Sequence, residues 1–201
     1  MTTLDEAAAW DMLTQAGAYL QGHFLLTTGR HSNQFFLLSR LSEHPAWLWR
    51  WAQALAARLE PFGAKTVVGP AVGGIIPAFA VASCWQDSRM LFAEKDTNGG
   101  MVFKRGFQIH PGEAVVVVED AVTTGKSVAE VIQAVQQAGG VVSAVGAWVD
   151  RSQGPLQFDL PFIALLRVHH VPNWEPEACP LCHQGVPLSR PKGPTSVNRE
   201  R

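Results

Sequence analysis

Glu119 and Asp120 form an adjacent carboxylate pair, preceded by Val115 to Val118 and followed by Ala121, Val122 and the run Thr123-Thr124-Gly125-Lys126-Ser127. This order puts hydroxyl and amide donors where an apolar strand would give way to a helix. The first amides of a helix lack internal partners and lie at the positive end of its dipole, so they suit a phosphate. Gly125 lets the backbone come close to such an anion. The two carboxylates would repel a bare phosphate, yet they are good acceptors for the vicinal hydroxyls of a ribose attached to it. Residues 119–127 together therefore point to a sugar phosphate. Gly-Lys-Ser also ends a Walker A loop, but that loop needs a glycine five positions before Gly125, where Asp120 stands. Treating the acidic pair as a mere cap of strand and helix leaves the hydroxyl-rich run unexplained.

The elements that must position this turn can be read around it. Four consecutive valines predict a strand buried on both faces. Ser127 to Ala138 reads as a helix closed by Gly139-Gly140, and Val141 to Val149 as a returning strand. Such a βαβ unit predicts an α/β domain with a parallel sheet, in which ligands collect beyond the carboxyl ends of the strands. Upstream, Leu4 to Leu20 reads as a helix, Thr27 to Ser32 as a polar loop and Phe35 to Leu38 as a short strand. Pro45 opens a helix with Trp47, Leu48, Trp51, Leu55 and Leu59 on its apolar stripe. A strand at Thr66 to Val68 leads through Gly69-Pro70-Ala71-Val72-Gly73-Gly74 into a helix from Ile75 to Ser83. Met90 to Ala93 is a further strand, followed by a polar loop from Glu94 to Gly100.

With 201 residues, 47% hydrophobic and 16% charged, the chain is expected to form a single domain over residues 1–178. Residues 179–201 are expected to be a partly flexible C-terminal extension. A formal net charge of -1 offers no general attraction to nucleic acid, so the expected partner is a small polyanion held by local donors. No membrane partner is expected: the N-terminus carries acidic residues where a signal peptide would be basic, and no apolar run is long enough to span. The cytoplasm is the expected location. Three cysteines argue against a secreted disulfide framework, and Cys84 lies in an apolar stretch that suits a core. Cys179 and Cys182 form one CxxC pair with His169, His170 and His183 nearby in sequence, which raises zinc as a reading beside ordinary packing of the extension.

The apolar strand, acidic pair and Thr/Gly-rich loop resemble the signature of the phosphoribosyltransferases. The likeness to the orotate phosphoribosyltransferases extends over about Gly22 through Arg151. GHFLLTTGRHSNQFF, from Gly22 to Phe36, is similar to that family's N-terminal substrate segment, which implies that Phe35 and Phe36 contact orotate. Gly69 to Ile75 resembles the pyrophosphate-binding loop and implies a role for Gly73, where small residues admit main-chain amides to an anion. Phe92-Ala93-Glu94-Lys95, with DTNGG and Phe103 to Phe107 after it, resembles the mobile catalytic loop and its flanks. Lys95 matches the basic position that neutralises pyrophosphate, and Lys104 and Arg105 are either its auxiliaries or solvated surface charge. Val149-Asp150-Arg151 resembles the segment whose arginine pairs with the orotate carboxylate, for which a planar guanidinium fork is suited.

The resemblance implies a type I phosphoribosyltransferase fold, with a central, mainly parallel sheet flanked by helices and a small N-terminal hood. It implies transfer of ribose 5-phosphate from 5-phosphoribosyl 1-diphosphate to orotate, with Lys95 and Asp120 catalytic and Thr123 shared by both substrates. Mg²⁺ would be the cofactor, held mainly by substrate oxygens. A homodimer is implied as well. Two alternatives stay open: transfer to another base, and a non-catalytic regulator that senses the diphosphate substrate.

Overall fold

Asp5 begins the first helix by accepting the Ala8 N–H at 2.8 Å, and α1 (Glu6–Gln15) buries Ala9, Met12 and Leu13. The computed structural model describes residues 4–97, 99–168 and 170–191. The helix expected to reach Leu20 stops early because Gly17 turns left-handed at φ +63° and Ala18 donates back to the Leu13 carbonyl. Tyr19 and Leu20 instead open β1 (Tyr19–Leu25), antiparallel to β2 (His31–Phe36). That strand starts at His31, earlier than its apolar residues suggest, because pairing with β1 holds its polar first half. It ends at Phe36, since Leu38–Glu43 winds as a 3-10 helix. Helix α2 (Pro45–Leu59) follows, with Pro45 in the first turn, where its missing N–H costs no helical bond.

The rest of the chain runs β3 (Thr66–Pro70), α3 (Ile75–Ala82), β4 (Arg89–Lys95), β5 (Met101–Phe103), β6 (Ala114–Val122), α4 (Lys126–Gln137), β7 (Val141–Asp150), β8 (Phe162–Arg167), β9 (Asn173–Trp174) and α5 (Pro180–His183). The central sheet has the order β5-β4-β3-β6-β7-β8, parallel throughout except for β5. The stretch expected as a polar loop from Glu94 is still strand at Glu94 and Lys95, which pair with Val102 and Met101. Asp96 N–H then closes the hairpin on the Gly100 carbonyl at 2.9 Å.

Helices cover both faces of this sheet, and the valine run shows why an unbroken apolar strand is needed at its centre. Val116 and Val118 pack with Trp51, Leu55 and Trp148 on one side, while Val115 and Val117 pack with Val128, Val131 and Val135 of α4 on the other. Trp51 and Trp148 meet edge to face at 6.0 Å. The type I architecture implied by the sequence is thus present, with β1, β2 and β9 forming a separate three-stranded sheet as the hood. Residues from the C-terminal extension lie along this hood. Ser189 bridges Phe24, accepts from Leu25 N–H at 3.0 Å and donates to the His23 carbonyl at 2.8 Å. Among the described residues, no helix is long and apolar enough to cross a membrane.

Candidate active site

The carboxyl end of β6 carries Glu119 and Asp120 out of the core. The Asp120 N–H donates to the Glu119 carboxyl at 3.0 Å, and the Ala121 N–H donates to the Asp120 carboxylate at 2.6 Å. Glu119 is only 8% exposed. Burial, and then the neighbouring Asp120 charge, push its carboxyl up to about 9 from 4.5, so it carries a proton at neutral pH. Across that window the folded chain retains a proton that the unfolded chain has released, and stability must fall as pH rises through it. Glu119→Gln should remove this slope and, at pH 8, stabilise the chain by an amount on the order of several kcal/mol. Thermal denaturation of both proteins from pH 5 to 9 checks this, and an unchanged slope in the variant would assign the titration to another group.

Over the end of β6 lies the turn 69–74, fitted so closely that side chains are excluded at Gly69 and Gly74. A Cβ on Gly69 would stand 2.2 Å from the Gly74 carbonyl oxygen, and one on Gly74 would stand 2.9 Å from that of Val118. At Gly73 a Cβ would lie 3.0 Å from an Asp120 carboxylate oxygen. The structure thereby brings Gly73 and Asp120 together, as expected of a shared site. The Ala71–Val72 peptide within this turn is cis.

From Val122 the chain passes through Thr123 and Thr124 to Gly125, whose φ of +77° precedes the first turn of α4. The Lys126 N–H donates to Thr124 Oγ1 at 3.3 Å. Glu119 and residues 121–128 line a hollow of about 60 Å³ around these amides and hydroxyls. A second cavity, of about 260 Å³, shares Thr123 and Thr124 and is otherwise lined by Arg151, Gln153, Gly154, Pro155 and Gln157. The segment after β7 braces the loop between them: the Gln157 N–H donates to the Thr124 carbonyl at 3.1 Å, and Phe158 would lie 2.9 Å from a Cβ on Gly125.

Arg151 follows β7 and is pinned through its backbone, which donates to the Val122 carbonyl at 2.8 Å. Its guanidinium carbon sits 4.5 Å from the centre of the Phe36 ring, so the hood supplies an aromatic face to the cation. The Nε is buried with no hydrogen-bond partner among the described residues. Burial lowers the guanidinium pKa, while the Asp120 charge acts the other way. A cation in such surroundings is prepared for an anionic, planar ligand. Asp150 takes no part, since its carboxylate accepts from Ser152 N–H and from Arg167 Nε, each at 2.9 Å. Of the two expected base contacts, Phe36 meets Arg151, whereas Phe35 packs at 5.6 Å from Phe24. Alternation along β2 separates the two rings.

No protein-family model matches the chain. Orotate phosphoribosyltransferase of Desulforamulus reducens is 46% identical over 181 residues, covering 90% of this chain and 93% of that one. The Thermotoga maritima enzyme of the same name is 44% identical over 181 residues, with 90% and 95% covered. This chain belongs to the orotate phosphoribosyltransferase family. At the level of fold it is similar to the Mycobacterium tuberculosis H37Rv orotate phosphoribosyltransferase in complex with 5-phospho-alpha-D-ribosyl 1-diphosphate, with a TM-score of 0.63, 20% identity, and 79% and 94% of the two chains covered.

The expected catalytic lysine is engaged away from the turn 119–127. Lys95 is paired with Glu130 of α4, and its ammonium also donates to the Gly99 carbonyl at 3.2 Å. Lys104 donates to the Lys95 carbonyl at 2.9 Å. Arg105 grips the Glu94 carboxylate through Nε and an Nη, both at 2.9 Å, and holds that carboxyl below its usual range. The structure therefore gives Lys104 and Arg105 contacts that brace β4 and its hairpin.

Sequence reasoning missed Gln153 and Gln157, which line the larger cavity, and Phe158, which packs beneath Gly125. Their only local signal is the Gly154-Pro155 turn close behind Arg151. The histidines described beside Cys179 and Cys182 are also not those nearest to them in sequence. His23 and His31 stand beside the two sulfurs, while His183 bonds to the Glu177 carbonyl and His169 lies outside the described residues.

Proposed function

We propose that the chain transfers the 5-phosphoribosyl group of 5-phosphoribosyl 1-diphosphate to orotate, releasing diphosphate and orotidine 5′-phosphate for pyrimidine synthesis. The observation that carries this reading is the Arg151 guanidinium. It is half-buried and stacked on Phe36, its enclosed Nε has no acceptor among the described residues, and it lines a cavity that shares Thr123 and Thr124 with the turn 123–127. Its planar fork matches the carboxylate of orotate.

In the proposed reaction the amides and hydroxyls of residues 123–127 hold the 5-phosphate. The Asp120 side chain accepts from the ribose hydroxyls, and protonated Glu119 offers a donor beside it. A ring nitrogen of orotate bonds to the anomeric carbon and gives up its proton to the departing diphosphate or to solvent, as the bond from that carbon to diphosphate oxygen breaks. Positive charge grows on the ribose and negative charge on the leaving group, so fixed charges stabilise the transition state and no covalent nucleophile is needed. Asp120 faces the first of these charges. Lys95, once it leaves Glu130, would face the second.

Threonine and serine hydroxyl oxygens line the smaller hollow, hard donors of the kind that magnesium takes. When bound, Mg²⁺ would neutralise diphosphate charge, held mainly by substrate oxygens and water. Removal by chelator should abolish turnover, and added Mg²⁺ should restore it.

A homodimer is part of the proposal. Val72, Ile76 and Phe79 are 82%, 45% and 62% exposed and form an apolar ridge beside the turn 69–74. A second copy covering this ridge would lie next to the diphosphate end of the site. Phe79→Arg should convert a dimer to a monomer in size-exclusion chromatography with light scattering; a variant that stays dimeric would move the interface elsewhere. The diphosphate substrate is a multiply charged anion that does not cross membranes unaided, which favours a cytoplasmic enzyme.

Uracil is orotate without its carboxylate, and so it tests the assignment of Arg151. With 5-phosphoribosyl 1-diphosphate and Mg²⁺, turnover of orotate should exceed that of uracil or adenine by at least about 10³-fold, because a site built around a polar group rejects the analogue that lacks it. Comparable rates with uracil would overturn the assignment.

A further inference from the structure

Away from the catalytic turn, four potential metal ligands converge: His23 of β1, His31 of β2, and Cys179 and Cys182, which flank the first residues of α5. Their ligating atoms all lie within 4.8 Å of one another. His23 Nε2 is 3.0 Å from His31 Nδ1, 3.4 Å from Cys179 Sγ and 3.7 Å from Cys182 Sγ, and Cys182 Sγ is 3.3 Å from His31 Nδ1. A tetrahedral zinc with Zn–N near 2.0–2.1 Å and Zn–S near 2.3 Å requires ligand separations of about 3.3–3.8 Å. The observed distances need only small adjustments to meet it.

Hydrogen bonding alone does not account for this convergence. His23 Nδ1 lies 2.7 Å from the Val186 carbonyl oxygen, an arrangement that requires Nδ1 to carry the proton. In the neutral ring, Nε2 then presents one lone pair, and three other groups crowd around it. One lone pair accepts one good hydrogen bond, whereas a cation at the centre satisfies all four groups. The Val186 carbonyl also orients the imidazole, as an outer-shell partner does for a metal-bound histidine. His23, His31 and Cys179 are 2%, 5% and 0% exposed, so these polar groups are enclosed within the fold.

We propose that His23, His31, Cys179 and Cys182 form a structural Cys₂His₂ zinc site that fastens the C-terminal extension to the β1–β2 hairpin. The ligand set is closed, with two thiolates and two imidazoles, and it favours zinc over the hard cation expected at the catalytic turn. The hydrogen bonds of Ser189 along β1 continue the same attachment. Zinc binding would displace the thiol protons, and its free energy would add to the stability of the folded chain. The inference does not depend on which base the enzyme uses.

Full-length protein, purified under reducing conditions, is to be measured by elemental analysis before and after incubation with Zn²⁺ and desalting, beside Cys182→Ser and Cys84→Ser. Wild type and Cys84→Ser should retain one zinc per chain, and Cys182→Ser should lose it. Replacement by Co²⁺ should give the visible bands of a tetrahedral ion with thiolate-to-metal charge transfer, and zinc should protect Cys179 and Cys182 from alkylation until a chelator is added. The cobalt and alkylation readings use wild-type protein and stand even where a variant does not fold. Reduced wild type that retains no zinc, a six-coordinate cobalt spectrum without charge transfer, or alkylation indifferent to zinc would each overturn the proposal.

Discussion

Arg151→Ala is expected to lower kcat/KM for orotate by about 10²–10³-fold, the cost of removing one partner from a buried charge pair. Affinity for 5-phosphoribosyl 1-diphosphate should change by only a few-fold. The separation rests on geometry. The Arg151 backbone, which the substitution spares, makes the bond to Val122 that holds the end of β7 to the end of β6. Only the guanidinium reaches Phe36 and the larger cavity. Arg151→Lys keeps a charge but loses the planar fork, so it should recover part of the rate and leave KM for orotate raised. Steady-state kinetics with varied orotate, together with calorimetric titration of the diphosphate substrate, would separate the two effects. An equal fall in both would mean that Arg151 shapes the phosphate loop instead of contacting the base.

Asp120→Asn carries the second large effect, a fall in kcat of about 10²-fold or more, because the charge that faces the developing cation is lost while the shape is kept. The close approach of Gly73 to the Asp120 carboxylate means that asparagine fits the same space. The substitution has a further consequence. Asp120 is one of the two causes of the raised Glu119 pKa, so removing its charge should bring that pKa down and narrow the pH window in which stability falls. Stopped-flow turnover and thermal denaturation against pH would test both parts. Full activity in Asp120→Asn would remove this residue from the catalytic account.

How much of this could be read in the chain depended on whether the cause was local. The βαβ unit from Ala114 to Asp150 was legible because a run of valines has no use on an exposed strand, and Gly125 and Gly139 mark its turns. The turn 123–127 was legible for the same reason: its hydroxyl and amide donors are consecutive. Arg151 could be assigned by resemblance, but its contact with Phe36 could not, because it joins the hood to the far end of the sheet. The early end of α1 was misread because Leu4 to Leu20 has helical residues throughout, and Gly17 alone stops the helix. Lys95 reads as part of a polar loop after a strand ending at Ala93, whereas it is the last residue of β4, and its pairing with Glu130 depends on how α4 lies against the β4–β5 hairpin. The His23 and Cys179 contact spans 156 positions of sequence. Proximity along the chain favoured His169, His170 and His183, and only the folded hood brings His23 and His31 to the sulfurs.

The most direct test of the central claim is the consumption of orotate, followed by its absorbance, in purified protein supplied with 5-phosphoribosyl 1-diphosphate, with and without Mg²⁺. The expected result is metal-dependent loss of orotate, matched mole for mole by orotidine 5′-phosphate and diphosphate. Protein that binds the diphosphate substrate but leaves orotate untouched, with or without the metal, would contradict the assignment of the base and of Arg151.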